Sequence, residues 1–517
     1  MTQYHYDLSR EAWIPVRMRA GNKVVQLGLR DVLRRAHEII EVQAGSPLET
    51  IALYRLLLAL GMDIFPETAE RSGWKDVWKR GQFAAEAIEA YFDHRNGKFD
   101  LLDANRPFYQ HPEPLAPSPS AISRLFSEAA SGNNPTLFSH EMDTVPQRVP
   151  LDVAARALVA VQATALGGGV SKPFNLCHAP LVGQALFWVR GNSLFEALLL
   201  NAPPVEGARL GDCEELGRPT WDRELTPINE QKRTPDGYLD YLTWQSRRIR
   251  LVVEQSEDGR LYATGVWISQ GDKVENLTAE EPMAAYDGSR AGGIYPLGLR
   301  KEKALWRDST TILKPYESNE ESHAPRTLEW VANARTMFTE VERSAKALEV
   351  DVFGMVNDKA KLELWRHERM PVYPIYFQDP ERRSSLDSAL ANADQVARVL
   401  HSACQTFARH LRFPGHDPNK RMGTQEKAEV EDFVRSLGAE RQFWSSLEVP
   451  FFDTLRGIAG DEPDESLDKW RVRVRALARN AYRESTESLG EGARVLRAFA
   501  EGEQVLNRKL AEMEVPT

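Results

Sequence analysis

Three consecutive glycines, Gly167-Gly168-Gly169, follow an apolar helical stretch and precede Ser171-Lys172-Pro173, which sets bare backbone beside a cation. Glycine lacks a Cβ, so it reaches φ > 0 cheaply and lets a ligand touch main-chain N–H groups. The triplet is either a plain helix stop or a loop that something approaches closely. It is not a phosphate-cradling P-loop, which ends in Gly-Lys-Ser/Thr with the lysine in the first turn of a helix; the order here is Ser-Lys-Pro. Two further turns carry cations. Gly354-Met355-Val356-Asn357-Asp358-Lys359-Ala360 is polar between apolar flanks, where Asn and Asp tolerate tight geometry and Lys359 projects a flexible charge. It is a surface turn or a recognition turn. Tyr286-Asp287-Gly288-Ser289-Arg290-Ala291-Gly292-Gly293 reads as a hairpin tip whose Arg290 is either solvated or a groove contact.

A fourth feature is a row of like charges. Arg471, Arg475, Arg479 and Arg483 recur every fourth residue beside the apolar seam Trp470, Val474, Leu477 and Ala481. That spacing costs an isolated helix ~0.2–0.5 kcal/mol per pair, so anions should face it. Neighbouring glutamates and a phosphate backbone both qualify.

The signatures of catalysis are missing. His37-Glu38, His140-Glu141 and His367-Glu368 lack the second histidine that a helical zinc protease needs, and there is no GxSxG elbow or EF-hand loop. The three cysteines, Cys177, Cys213 and Cys404, stand singly, so neither a disulfide framework nor a cysteine-rich zinc site is readable. No catalytic residue, metal or cofactor is expected.

The elements that must position these loops fall into two parts. A chain of 517 residues is too long for one core. Residues 1–378 mix short extended runs, turns and helices without a βαβ rhythm, which predicts a large irregular α+β domain. Helices are expected near 48–60 and 154–165, and extended runs at 13–16, 249–253 and 261–266. The polar, proline-dotted stretch 131–150 reads as a mobile loop. Residues 379–517 predict a four-helix bundle, with helices over the seam Leu386 to Leu411, then about 425–458, 466–488 and 491–513.

A polar N-terminus without the layout of a signal peptide, and no apolar run of ~20 residues, predict a cytoplasmic chain away from membranes. A net charge of -10 argues against a protein that coats nucleic acid by long-range attraction, yet leaves room for a few local contacts.

In order along the chain, Ala12-Trp13-Ile14-Pro15-Val16, Phe99-Asp100-Leu101-Leu102, Arg106-Pro107-Phe108-Tyr109-Gln110, the run from Gly237 to Leu251, Glu281-Pro282-Met283-Ala284-Ala285-Tyr286 and Ala304-Leu305-Trp306-Arg307-Asp308 resemble the signatures of the CasA family. That family is the large subunit of the type I-E Cascade complex of CRISPR interference. The resemblance implies a non-enzymatic subunit that recognises the protospacer-adjacent motif in duplex DNA and helps begin strand separation for an R-loop. Its partners would be the other Cascade subunits, the guide RNA, the target DNA and the helicase-nuclease that degrades the target. By the same resemblance, Gly167, Gly168 and Gly169 match the glycine loop, and Ser289 and Arg290 fall at the minor-groove hairpin. Asp358, Lys359 and Ala360 fall on the wedge that splays the first base pairs, where some relatives carry a glutamine in place of Lys359. Phe138 matches the aromatic of the loop that docks on neighbouring subunits and the guide's 5′ end. The cysteine cluster of some relatives is absent, so no zinc is implied.

Overall fold

The computed structural model describes residues 4–114, 116–126, 147–168, 175–204, 216–225, 232–274, 280–288, 293–317, 322–337, 347–415 and 421–513. The chain divides into two compact units, Met1–Lys303 with Pro315–Val372, and Ala304–Lys314 with Tyr373–Thr517. The helical unit thus begins ahead of the 378/379 division expected from the sequence, and it takes in a short segment from further upstream. The reason is aromatic packing. Trp306 is 2% exposed and stacks on Phe451 with ring centroids 4.5 Å apart, and the Arg307 guanidinium lies 3.4 Å over the Trp444 ring.

The first unit opens on an antiparallel sheet of β1 (Ile14–Met18), β2 (Val24–Leu27) and β3 (Ile39–Val42), with β1 in the middle. Helix α1 (Pro47–Ile64) starts where its sequence directs: Ser46 accepts the Glu49 N–H, and Pro47 sits in the first turn, where no N–H is needed. Its residues are buried on nearly every side, so it is a core helix rather than an amphipathic one. Helix α2 (Leu151–Thr164), also mostly buried, packs against it. The apolar strand β4 (Ala185–Val189) is wholly buried. Strands β5 (Arg247–Gln255) and β6 (Leu261–Gln270) form a long antiparallel pair with a register shift at Val252/Val253.

The two-residue strands β7 (Tyr286–Asp287) and β8 (Tyr295–Pro296) pair antiparallel. The longest pair is β9 (Leu348–Asp358) with β10 (Lys361–Val372). Strand β9 lies between β10 and β4, so among the described residues β10 is an edge strand, and its exposed face carries the charges of Lys361, Glu363 and Arg369 with His367 and Trp365, charges that disfavour strand addition. Helix α1 meets this sheet through Tyr54, which stacks on Trp188 at 4.3 Å and meets Phe353 edge-on at 6.2 Å.

The second unit is helical. Helix α3 (Pro380–Arg412) carries the expected seam, buried from Leu386 through Phe407, and Asp379 caps it by accepting the Glu381 and Arg382 N–H groups. The single helix expected over 425–458 is three: α4 (Thr424–Leu437), α5 (Ala439–Ser446) and α6 (Glu448–Ala459). Gly438 adopts the left-handed conformation, φ 71°, which closes α4. Pro450 has no N–H to continue the ladder from α5, so it sits in the first turn of α6. Helices α7 (Pro463–Glu487) and α8 (Ala493–Glu512) complete the unit, both packed on α3.

Candidate nucleic-acid interface

Helix α2 ends at Thr164, and Ala165 turns the chain into extended backbone. The segment that follows is held from beneath by a buried guanidinium. Arg247, 2% exposed at the start of β5, donates from Nη2 to the carbonyls of Ala165 (3.3 Å), Leu166 (3.0 Å) and Cys177 (2.8 Å), and from Nη1 to that of Ser246 (2.9 Å). Burial among these neutral acceptors lowers its pKa to about 10. Neighbouring amides complete the frame. Gln162 Oε1 accepts the Arg247 N–H at 2.8 Å, and Gln270 Oε1 accepts the Cys177 N–H at 2.6 Å.

The two ends of the glycine loop are tied together. Ala179 N–H donates to the Ala165 carbonyl at 2.9 Å, Gly168 N–H to the Leu176 carbonyl at 2.9 Å, and Gly167 N–H to His178 Nδ1 at 3.0 Å. Loss of solvent, then the nearby Arg247 charge, hold the His178 imidazole below its usual pKa, so Nδ1 remains an acceptor. The sequence suggested that glycine N–H groups here meet a ligand. For Gly167 and Gly168 those groups point inward and are used by the protein itself. Glycine is required for a different reason: a Cβ on Gly167 would lie 2.5 Å from the main-chain nitrogen of His178, and Gly168 has φ +123°, a conformation L side chains rarely adopt. Gly169 lies outside the described residues.

Gly168 also faces the tip of another hairpin. A Cβ placed on it would come within 2.8 Å of the Ala360 Cβ. Glycine loop and wedge turn, nearly two hundred residues apart in sequence, are therefore in contact within the first unit. The turn itself is tight: Asp358 pairs with Lys361, leaving Lys359 and Ala360 as a two-residue connection. Lys359 has φ 52°, in the left-handed region that costs a non-glycine residue ~1–2 kcal/mol, and its carbonyl accepts from Asn357 Nδ2 at 2.9 Å. Asp358 and Lys359 are exposed.

The third predicted loop is anchored to the same sheet. Ala185 N–H donates to Leu297 O and Phe187 N–H to Met283 O, both at 2.7 Å, which ties the stem of the β7–β8 hairpin to the edge of β4 opposite β9. Beside the tip, Ile294 and Tyr295 are 46% and 44% exposed. Ser289 and Arg290 lie outside the described residues, as does Phe138.

The arginine row lies on α7 in the second unit. Arg471 pairs with Asp468 at 2.9 Å, Arg475 donates to the Met513 carbonyl at 3.2 Å, Arg479 to Asn507 at 3.0 Å, and Arg483 to Glu503 at 2.8 Å. Among the described residues, no group of three or more His, Cys, Asp or Glu is placed to hold a metal, and no helix is long and apolar enough to cross a membrane. Sequence reasoning missed Arg247. The available signal was Arg247-Arg248 opening a strand whose next positions alternate toward the core.

Fold and site define a mixed α+β protein with a helical C-terminal unit, in which separate hairpins and a glycine turn converge on one sheet. Residues 7–481 match the family model described as CRISPR-associated protein Cse1. The CRISPR-associated protein CasA/Cse1 of Thermus thermophilus is 32% identical over 529 aligned residues, covering 98% of each chain. The crystal structure of Thermus thermophilus CasA superposes with a TM-score of 0.82, at 27% identity, over 98% of this chain and 100% of that one. A chain from a structure described as a CRISPR RNA-guided surveillance complex superposes with a TM-score of 0.76, at 21% identity, over 97% of this chain and 99% of its own. The protein belongs to the CRISPR-associated Cse1/CasA family.

Proposed function

We propose that this chain is the non-catalytic large subunit of a CRISPR RNA-guided surveillance complex, that it reads the protospacer-adjacent motif in duplex DNA, and that it starts the strand opening from which the R-loop grows. The observation that carries this reading is the contact between Gly168 and Ala360, which joins a side-chain-free loop to a hairpin whose tip, Lys359, is both cationic and held in the left-handed region. Strain of this kind persists where the surroundings over-determine it, and it concentrates at recognition sites. Because the Gly167 and Gly168 amides are committed inward and Gly167 is buried, the exposed Gly168 is the residue that would offer DNA a bare Cα and a carbonyl acceptor. In the minor groove the guanine amino group is the distinguishing donor, so an acceptor surface separates G·C from A·T and tolerates several motifs. The β7–β8 hairpin, carrying Ser289 and Arg290, would enter the same groove.

Lys359 would then meet the first base pairs beyond the motif. Opening a step costs a few kcal/mol, which backbone contacts and the nearly balanced exchange of DNA–DNA for RNA–DNA pairing supply without a nucleotide cofactor. The opened complex would recruit the helicase-nuclease. Phe138 would dock the subunit on its neighbours and the guide. The partners of Arg471, Arg475 and Arg479 within their own unit favour a packing role for that row over phosphate contact. Binding of the assembled complex to targets with varied motifs tests the proposal. A subunit that only holds the assembly together would bind them all alike.

A further inference from the structure

Helix α1 carries an ion pair in the middle of the first unit's core. Arg55 and Glu281 are each 1% exposed; Arg55 Nη1 donates to Glu281 Oε2, and Nη2 to the Tyr241 carbonyl at 3.3 Å. Loss of solvent works against the Arg55 charge, but the carboxylate beside it raises its pKa above the ordinary value, so the guanidinium stays charged. Such a pair is a poor source of stability. Desolvating two charges consumes most of what their attraction returns, and apolar side chains of similar volume commonly hold a core as well. Arg55 Nε and the Tyr238 hydroxyl, both buried, find no hydrogen-bond partner among the described residues, which adds to the cost. What an ion pair supplies that an apolar contact does not is a fixed register, since sliding either partner strands a desolvated charge.

Glu281 stands at the root of the β7–β8 hairpin. Its Oε1 accepts the Met283 N–H at 3.3 Å, its carbonyl accepts the Ala284 N–H at 2.9 Å, and its own N–H donates to the Tyr286 hydroxyl at 2.7 Å. The run from Glu281 to Tyr286, one of the sequence signatures, is thus closed on itself around the carboxylate. Tyr286 then passes the restraint into β7: it exchanges main-chain hydrogen bonds with His323 at 2.9 and 3.0 Å, and its ring stacks on that imidazole at 5.2 Å.

The other end of the pair refers to the rest of the site. Tyr54, the residue before Arg55, stacks on Trp188 of β4 and meets Phe353 of β9, the strand that runs out to the wedge turn. Tyr241, whose carbonyl Arg55 holds, lies six residues ahead of Arg247, which frames the glycine loop. One stretch of α1 therefore touches the supports of all three loops.

We propose that Arg55 and Glu281 are positioning residues, which set the β7–β8 hairpin at a fixed depth relative to the glycine loop and the wedge turn and so determine how sharply motifs are discriminated. The inference rests on the reading in which that hairpin enters the groove.

The test removes both charges together, in Arg55→Met with Glu281→Met, so that neither is left buried alone. Hydrogen exchange on the full chain, without DNA, should show the amides of Ala284, Tyr286 and Leu297 exchanging about tenfold faster or more, with those of α3 unchanged. In the assembled complex, across targets that differ only in the motif, the ratio of strongest to weakest binding should fall about fivefold or more, while the weakest binding stays the same. Tyr286→Phe, which deletes only the hydroxyl that accepts the Glu281 N–H, should shift both readouts the same way by about twofold, and it serves if the double variant does not fold. Wild-type protection of the three amides overturns the positioning role whether or not the complex reads a motif. A variant with lost protection that discriminates as well as the wild type overturns the inference too, whereas a wild-type complex that binds all motifs alike counts against the function proposed above.

Discussion

In the first unit Arg247 is almost wholly buried and spends its donors on four main-chain carbonyls, whereas in the second unit Arg471, Arg479 and Arg483 lie near the surface with Asp468, Asn507 and Glu503. The first arrangement fixes a loop whose backbone has no regular secondary structure to support it. In the second, Arg471–Asp468 lies within α7, and of the three only Arg479 and Arg483 reach across to α8, a helix that already packs on α7 and α3. Removing a buried donor leaves desolvated acceptors, at about 1–3 kcal/mol each in the worst case, while surface pairs are worth about 0–1 kcal/mol. Position, and not residue type, therefore decides which arginine the local structure depends on.

The comparison breaks most sharply at Gly168. In the assembled complex, Gly168→Val should reduce motif-dependent target binding by about ten- to a hundredfold. Its φ of +123° alone costs a side chain ~1–3 kcal/mol, and the new Cβ collides with Ala360. Complex assembly, followed by size-exclusion chromatography, should survive. Next comes Arg247→Met, expected to destabilise the isolated chain by about 1–3 kcal/mol in urea unfolding, against less than about 0.5 kcal/mol for Arg479→Ala. Equal costs would erase the contrast between the units.

Lys359 sharpens it further. Lys359→Gly should change stability by less than about 1 kcal/mol, because relief of the left-handed residue offsets glycine's greater freedom in the unfolded chain. R-loop formation on closed duplex should nonetheless slow, and a target with pre-opened pairs beside the motif should restore it. Neutralising Arg471, Arg475 and Arg479 together should leave the salt dependence of binding unchanged. A log–log slope flattened by ~0.7–0.9 per residue would instead make them phosphate contacts.

The smallest effect is expected from pH. His178 has a lowered folded pKa, so its neutral form belongs to the folded loop. The stabilisation is complete above the unfolded value of 6.5 and is lost as the pH falls through the folded value. Hydrogen exchange at the 165–168 amides, corrected for intrinsic rates, should lose protection in the wild type as the pH falls below 6.5 and through the lowered folded value, and not in His178→Asn.

Much of this was legible because it is local. The α3 seam, the glycine triplet and the turn around Lys359 are short-range patterns, and each names the element that carries it. Arg247 was not legible, since three of its four carbonyl partners, Ala165, Leu166 and Cys177, lie 82, 81 and 70 residues away along the chain. Nor was the direction of the Gly167 and Gly168 amides, which depends on His178 and Leu176 folding back across the loop. The break of 425–458 into three helices has local signals in Gly438 and Pro450, which the single helix expected there did not take into account.

The central claim is that the glycine loop and the wedge turn form one reading surface through Gly168 and Ala360, and a double-mutant cycle tests it most directly. Motif-dependent DNA binding would be measured for complexes carrying Gly168→Ala, Ala360→Gly and both. The account predicts that Gly168→Ala is impaired and that Ala360→Gly, by removing the methyl 2.8 Å from the added Cβ, restores several-fold of the lost affinity in the double variant. Strictly additive effects, or a Gly168→Ala complex that discriminates motifs as well as the wild type, would contradict it.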